Sequence, residues 1–230
     1  MSPFLDYEAF AAAYAATTRD NVYNSRYERP ALRALLSDVA GLAVLDAGCA
    51  AGEHALWLEQ HGARVTAIDV SDAMLAIARE RLSEQSLVVY ANLDERLPFE
   101  DGAFDLVVSS LTLHYTRDLQ ATLCEFARVL KPHGMLVFST HHPMLAQSGE
   151  RYAETFLIDE TWDGFGSEPV RVRWYHRSFQ TISQSVIDAG FTIATVCEAK
   201  PDASIAEVNE RAYRQMLRVP FLLMRATKRS

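Results

Sequence analysis

The chain is poor in the residues that build special-purpose proteins. It has three cysteines in 230 residues, Cys49, Cys124 and Cys197, an odd number with no paired spacing. That excludes a disulfide framework and a C-x-x-C metal or redox site, and it points to a reducing cytosol. Ten glycines and eight prolines leave no room for a linker or a low-complexity tract. No uncharged apolar run approaches the roughly 18 residues of a membrane span. The opening residues, Met1-Ser-Pro-Phe-Leu-Asp6, lack the basic-then-apolar order of a secretory leader. Positive charge is also scarce, 22 Lys and Arg against 30 Asp and Glu, a formal net charge of −8. An acidic surface repels phosphate backbones and argues against nucleic acid as a partner. The one basic cluster, Arg225 to Arg229, reads as a solvated tail.

What remains is an ordinary globular composition, 49% hydrophobic, in a length suited to one α/β domain. Apolar runs of four to six residues alternate with segments of helical period. Helices are expected at 4–18 and 29–40, then a strand at 42–46, a glycine-bearing turn at 47–52 and a helix to about residue 60. A strand over 64–69 leads through Ser71-Asp72, an N-cap, into a helix over 73–82. Strands at 87–91 and 104–109, a helix over 119–130 and a strand at 135–140 complete the alternation. This pitch implies a doubly wound, parallel sheet covered on both faces. Residues 141–176, rich in aromatic and turn residues, break the pattern as a lid or small hairpin. It resumes with a helix at 178–189, a strand at 191–196, a helix near 204–216 and a strand at 218–225. The expected organisation is a single domain: a helical lid (1–40), a binding core (41–140), an inserted cap (141–177) and closing elements (178–230).

The chemistry concentrates at the first turn, Val44-Leu-Asp-Ala-Gly-Cys-Ala-Ala-Gly-Glu-His-Ala55. Ligands of open α/β sheets bind at the carboxyl ends of the strands. Gly48 and Gly52 let the backbone bend and approach a ligand. Asp46 puts a carboxylate beside the turn, which repels a pyrophosphate and suits an ammonium or sulfonium group. Asp69 ends the second strand 21 residues after Gly48, the spacing at which an acid accepts from ribose hydroxyls. Capping of the next helix is the competing reading for Asp69.

Four ordered segments then carry a resemblance: Leu45-Asp-Ala-Gly-Cys-Ala-Ala-Gly52, Ala67-Ile-Asp-Val-Ser-Asp-Ala-Met-Leu75, Leu97-Pro-Phe-Glu-Asp-Gly-Ala-Phe-Asp-Leu-Val-Val-Ser-Ser110 and Leu130-Lys-Pro-His-Gly134. Together they resemble the successive motifs of class I S-adenosylmethionine-dependent methyltransferases, across about residues 42–140. The resemblance implies a Rossmann-like seven-stranded sheet, mostly parallel, whose last strand is antiparallel. It also implies S-adenosylmethionine as cofactor, no metal, and a methyl transfer leaving S-adenosylhomocysteine. Carried over by position, Asp46, Gly48, Cys49, Ala50 and Gly52 would cradle the methionine and ribose, and Asp69 the ribose hydroxyls. Val70 and Met74 would pack on adenine, Asn92-Leu93 would read its edge, and Ser109 would lie by the cofactor's amino group. Two positions depart from the family pattern: Ala50 replaces a glycine, and Lys131-Pro-His-Gly134 replaces Lys-Pro-Gly-Gly. An amide at Asn92 also stands where an acid is usual.

Segments farther on, such as Phe138-Ser-Thr-His-His-Pro143 and Trp174-Tyr-His-Arg-Ser-Phe179, are similar to a bacterial subgroup acting on small molecules. In-line displacement at a sulfonium draws mainly on proximity, about 7–11 kcal/mol in well-oriented systems. A general base adds about 10²–10⁴-fold where the nucleophile must lose a proton, and His114, His141 and His142 are the candidates. A structural role is the alternative for each. Tyr14 is a candidate for the cofactor pocket; Tyr23, Tyr27, Trp174 and Tyr175 are candidates for an aromatic substrate chamber that also includes Trp162 and Phe165. The expected partner is a small molecule, with no nucleic acid or membrane, and the protein a cytoplasmic monomer or homodimer. Two other functions stay open at this point: a nicotinamide-dependent oxidoreductase, and a protein that binds the cofactor without catalysis.

Overall fold

In a computed structural model, residues 7–145, 149–162 and 169–230 are described; Phe4 and Phe165 lie outside them. The elements run α1 (Tyr7–Asp20), a π turn (Asn24–Glu28), α2 (Arg29–Arg33), β1 (Ala43–Ala47), α3 (Glu53–Gln60), β2 (Arg64–Asp69), α4 (Asp72–Arg81) and β3 (Leu87–Tyr90). There follow β4 (Phe104–Ser109), a 3₁₀ turn (Leu113–Tyr115), α5 (Leu119–Val129), β5 (Leu130–His141), β6 (Phe156–Trp162), β7 (Val170–His176), α6 (Phe179–Asp188), β8 (Phe191–Cys197), α7 (Ser204–Val208), α8 (Glu210–Met216) and β9 (Phe221–Lys228).

Seven strands form one sheet in the order β3-β2-β1-β4-β5-β9-β8. The first five pair in parallel, whereas β9 runs antiparallel to both β5 and β8. The antiparallel strand that ends the chain order therefore sits inside the sheet, with β8 at the edge. Alternating side chains supply two cores, one on each face. Leu45, Val107 and Phe138 pack with Phe126 and Phe191, while Val44, Leu106, Val108 and Val137 pack with Leu32 and Leu58. Burial on both faces explains why these strands read as continuous apolar runs. The insertion after β5 contains the hairpin β6–β7, and β7 packs on the 3₁₀ turn. Among the described residues no helix is long and apolar enough to cross a membrane.

Several boundaries differ from the sequence reading, β5 among them, which starts at Leu130 instead of 135, and three of the differences have a clear local reason. The helix expected over 29–40 is α2 alone, because Leu35 and Leu36 bond only three residues back and Asp38 turns its carboxylate onto the Ala40 N–H. The helix expected over 204–216 is split at Asn209, whose side chain accepts from the Ala212 N–H and starts α8 afresh. The last strand begins at Phe221 instead of Arg218, after Val219 takes a positive φ of 52°. Ahead of α2, Pro30 lacks the N–H an α-helix would donate to the Arg26 carbonyl. The chain widens there into a π turn, with Arg29 N–H bonding to the Asn24 carbonyl. That widening delivers Glu28, 1% exposed, to the carboxyl ends of β4 and β5.

Candidate active site

A cleft with about 1190 Å³ of atom-free space opens over the carboxyl ends of β1, β2 and β4. The turn after β1 forms its floor. Gly48 N–H and Cys49 N–H both donate to the Ile68 carbonyl, and the Ala50 N–H donates to Asp69 Oδ2 at 2.9 Å. Asp69 Oδ1 accepts from the Ser71 N–H at 3.0 Å, so one carboxylate shapes both the turn and the start of α4. The helix is capped separately, by Ser71 Oγ accepting from the Met74 N–H. Asp69 therefore does not cap α4: its backbone bonds hold a carboxylate that lines the cleft.

Gly48 has φ 81°, and a Cβ there would lie 2.3 Å from Thr112 Cγ2. Ala50, the departure from glycine, has φ 45°. A left-handed alanine is strained by about 1–2 kcal/mol. Ala50→Gly is accordingly expected to raise the melting temperature by about 2–4 °C, measured by thermal denaturation.

Of the residues expected at the cofactor, Tyr14, Asp46, Gly48, Cys49, Ala50, Asp69, Val70, Met74, Asn92 and Leu93 line this cleft. Gly52 and Ser109 do not. Gly52 sits behind the turn as the left-handed cap of α3, against Ala78. Ser109 is fully buried, and its hydroxyl donates to the Ala47 carbonyl, stitching β1 to β4. Its neighbour Ser110 faces the cleft instead. The Asn92 oxygen accepts from the Asp94 N–H and its amide donates to Glu95, so the residue also shapes the loop after β3.

The candidate substrate and base residues lie elsewhere. Tyr27 is 2% exposed, with its hydroxyl donating to the Ala199 carbonyl and its ring against Phe221. Tyr23 bonds to Gln215 of α8. His114, His141, His142, Trp174 and Tyr175 line a second, smaller cavity beneath the hairpin. There His114 and His141 stack at 3.8 Å, nearly parallel, with the Trp174 ring edge-on to both. Trp174 and Trp162 both donate to Glu160 Oε1. Burial pushes His141 down to about 3 and His114 well below its ordinary value, the latter helped by His141 and Arg177. His142 contacts Glu198 at 3.0 Å. The structure thus brings two of the three histidines together, outside the cleft. Across the described residues no group of three or more His, Cys, Asp or Glu could hold a metal ion.

Sequence reasoning missed the cleft's inner wall. His54, in the first turn of α3, lines it at 6% exposure. Behind it Glu28 Oε1 accepts from Ser110 Oγ at 2.9 Å and from Ser139 Oγ at 2.5 Å. Ser139 Oγ also accepts from the N–H of Leu111, which is held at φ 48° on the cleft wall. Arg29 lines the cleft too, and its guanidinium donates to the carbonyls of Thr18 and Arg19 at the end of α1. The charged pair Glu28-Arg29 before Pro30 was the available signal, but nothing in a lone sequence marks a helical glutamate as buried.

This is a nucleotide-type cleft on a doubly wound sheet, with a carboxylate where a dinucleotide fold would place a phosphate. A methyltransferase domain family matches residues 45–138. Over 183 residues the chain is 33% identical to a malonyl-[acyl-carrier protein] O-methyltransferase of Pseudescherichia vulneris, covering 70% of this chain and 72% of that one. It is 39% identical over 103 residues to a demethylmenaquinone methyltransferase of Tropheryma whipplei (strain Twist), covering 45% and 43% of the two chains. A solved S-adenosylmethionine dependent methyltransferase from Mesorhizobium loti superposes with a TM-score of 0.74 at 30% identity, covering 92% of this chain and all of that one. The chain belongs to the S-adenosylmethionine-dependent methyltransferases, and it transfers a methyl group from that cofactor. The nicotinamide reading falls with this assignment.

The residues present fit the cofactor. Asp46 Oδ2 is buried without a hydrogen bond and suits an ammonium or sulfonium. The glycine cradle at Gly48 leaves the close approach that a Cβ would fill. Val70 and Met74 offer apolar surface for a planar base beside the Asp69 carboxylate.

Proposed function

We propose that this chain methylates a free small molecule in the cytoplasm of a bacterium, through a nitrogen, oxygen, sulfur or carbon nucleophile. The observation that carries the reading is the cleft itself. It must hold both cofactor and acceptor between α1, the π turn and the loop after β4, and that enclosure by three elements suits a small molecule. The net charge of −8 adds a reason to disfavour nucleic acid and anionic membranes as partners.

When bound, the cofactor supplies an electrophilic methyl group on a sulfonium. Asp69 would hold the ribose hydroxyls, and Val70 and Met74 the adenine ring. Tyr14 and Thr18 of α1 line the cleft and would shield the cofactor from water on that side. Ser110, Leu111 and Thr112 present the wall against which an acceptor is aligned. Proximity does most of the work in this reading. His114 and His141 serve the hairpin, because a dry, neutral imidazole pair makes a poor proton acceptor.

Calorimetric titration with S-adenosylmethionine, S-adenosylhomocysteine and NADH tests the proposal. The two adenosyl ligands should bind with micromolar affinity and NADH should not. Asp69→Ala should weaken both at least about ten-fold, the loss of one good hydrogen-bonding interaction or more. Turnover in an acceptor screen identifies the acceptor and its nucleophilic atom. Failure of S-adenosylhomocysteine to bind wild type would end the reading.

A further inference from the structure

Three buried titratable side chains converge on the inner wall of the cleft: Asp46 from the end of β1, His54 from α3 and Glu28 from the π turn. His54 Nε2 lies 3.7 Å from Glu28 Oε2, within ion-pair range and too long for a hydrogen bond. Asp46 Oδ2, Glu28 Oε2 and both ring nitrogens of His54 are buried without a hydrogen-bond partner. A buried polar atom left without a partner is costly, more so where charge is involved. Four of them in one place is the mark of a site prepared for a ligand.

The surrounding charges do not balance the cluster. Asp69 of β2 and Glu28 both repel a charge on Asp46, while His54 attracts it; burial dominates and pushes the carboxyl up to about 6. Burial, then Asp69 and Asp46, pushes the Cys49 thiol of the turn up as well, so it adds no anion. Burial works to raise Glu28, but His54, Ser139 and Ser110 outweigh it and hold the carboxylate below its usual range. The cations nearby are engaged elsewhere. Arg29 donates to the end of α1, Arg33 to the Glu53 carbonyl, and Arg81 pairs with the Glu53 carboxylate.

We infer that Asp46, His54 and Glu28 form a proton-linked cation subsite: the cluster holds a proton in the ligand-free cleft, and a ligand's ammonium group displaces it to solvent. One N–H or O–H bond of the cluster breaks, the buffer base takes the proton, and the positive charge of the ligand replaces it beside the carboxylates. His54 and Asp46 face the ligand. Glu28 is a positioning residue, acting through His54 and Ser110. The inference rests on an S-adenosyl compound being the ligand of this cleft.

The test is calorimetry of S-adenosylhomocysteine into the whole chain in two buffers of different ionisation enthalpy, phosphate and bis-Tris, with 5′-methylthioadenosine, which lacks the ammonium, as the second probe. At pH 6 the S-adenosylhomocysteine enthalpy should differ between buffers by the equivalent of about half a proton released, or more, falling toward zero by pH 8. The 5′-methylthioadenosine enthalpy should not differ. Glu28→Gln should reduce the release and weaken S-adenosylhomocysteine about ten-fold, with 5′-methylthioadenosine held within about two-fold. If Glu28→Gln does not fold, His54→Gln, whose ring makes no hydrogen bond, serves the same comparison. Equal enthalpies in the two buffers at pH 6, with S-adenosylhomocysteine still bound, overturn the subsite and leave the functional reading standing. Absence of S-adenosylhomocysteine binding overturns both.

Discussion

Gly48→Ala should abolish cofactor binding and lower the stability of the fold together. The added methyl meets Thr112 at 2.3–2.8 Å, on both branches of its side chain and at its Cβ, and the backbone is left-handed with φ 81°. The strain costs about 1–2 kcal/mol and the overpacking about 1–3 kcal/mol more. Thr112 cannot simply rotate away. Its hydroxyl donates to the Ser110 carbonyl at 2.8 Å, and it belongs to the cleft-wall segment that includes left-handed Leu111. The collision is therefore passed to the turn and to the loop after β4, the two walls that face the ligand. An S-adenosylhomocysteine titration should show at least a hundred-fold loss of affinity, a displacement of about 2.7 kcal/mol. Thermal denaturation should show a lowered midpoint in the same variant. Wild-type affinity in Gly48→Ala would mean that the floor of the site lies elsewhere. Thr112→Ser in the same background should restore part of both, since it removes the nearest atom.

The second large effect is loss of stability in mild acid. His141 has a folded pKa of about 3 through burial, against an ordinary value of 6.5. The unfolded chain therefore binds a proton that the folded chain refuses at every pH between these values. Stability from this group is complete above pH 6.5 and is lost as pH falls toward 3, at about 1.4 kcal/mol per unit. The cost is about 2 kcal/mol by pH 5 and of the order of 4–5 kcal/mol at the acid limit. His114, stacked upon it and also pushed down, adds in the same direction. Urea denaturation from pH 7.5 to 4.5 should show the slope. His141→Phe should flatten it while leaving stability at pH 7.5 within about 1–2 kcal/mol, because an aromatic ring is kept, at the cost of a slightly larger volume, and His141 Nδ1 has no hydrogen bond to lose. An unchanged slope in that variant would place the acid sensitivity elsewhere.

The parts of the fold that were legible in the sequence are those written by burial. β1, β4 and the apolar half of β5 show as unbroken runs because both faces of the sheet are covered. Asp46 and Asp69 were readable because strand ends and the spacing of an acid from a glycine turn are fixed along one βαβ unit. What was not readable came from distant segments meeting. Glu28 is an ordinary glutamate in a helical stretch until the π turn at Pro30 rotates it onto Ser110 and Ser139, more than 80 residues away. His54 is likewise two residues past a motif whose glycines drew the attention. The histidines at the carboxyl ends of β4 and β5 were readable as strand-end residues and the insertion as a lid or small hairpin, but not that the one covers the other. Ser109 and Ser110 show how fine the limit is. Ser109, expected in the cleft, ends β4 buried with its hydroxyl on the Ala47 carbonyl, while Ser110, the first residue past the strand, faces the cleft.

The position of β9 bears on how this chain comes to be made. Synthesis proceeds from the amino end, so β1 to β5 can associate as soon as they emerge, each beside a strand already present. β5 must then wait with one edge bare, and β8 with no neighbour at all, until residues 221–228 arrive to bridge them. A bare edge on a strand as apolar as Leu136-Val-Phe-Ser139 is an invitation to the wrong partner. The window between completion of β5 and arrival of β9 spans some eighty residues of translation, and it is there that a chaperone would find this protein most in need of cover.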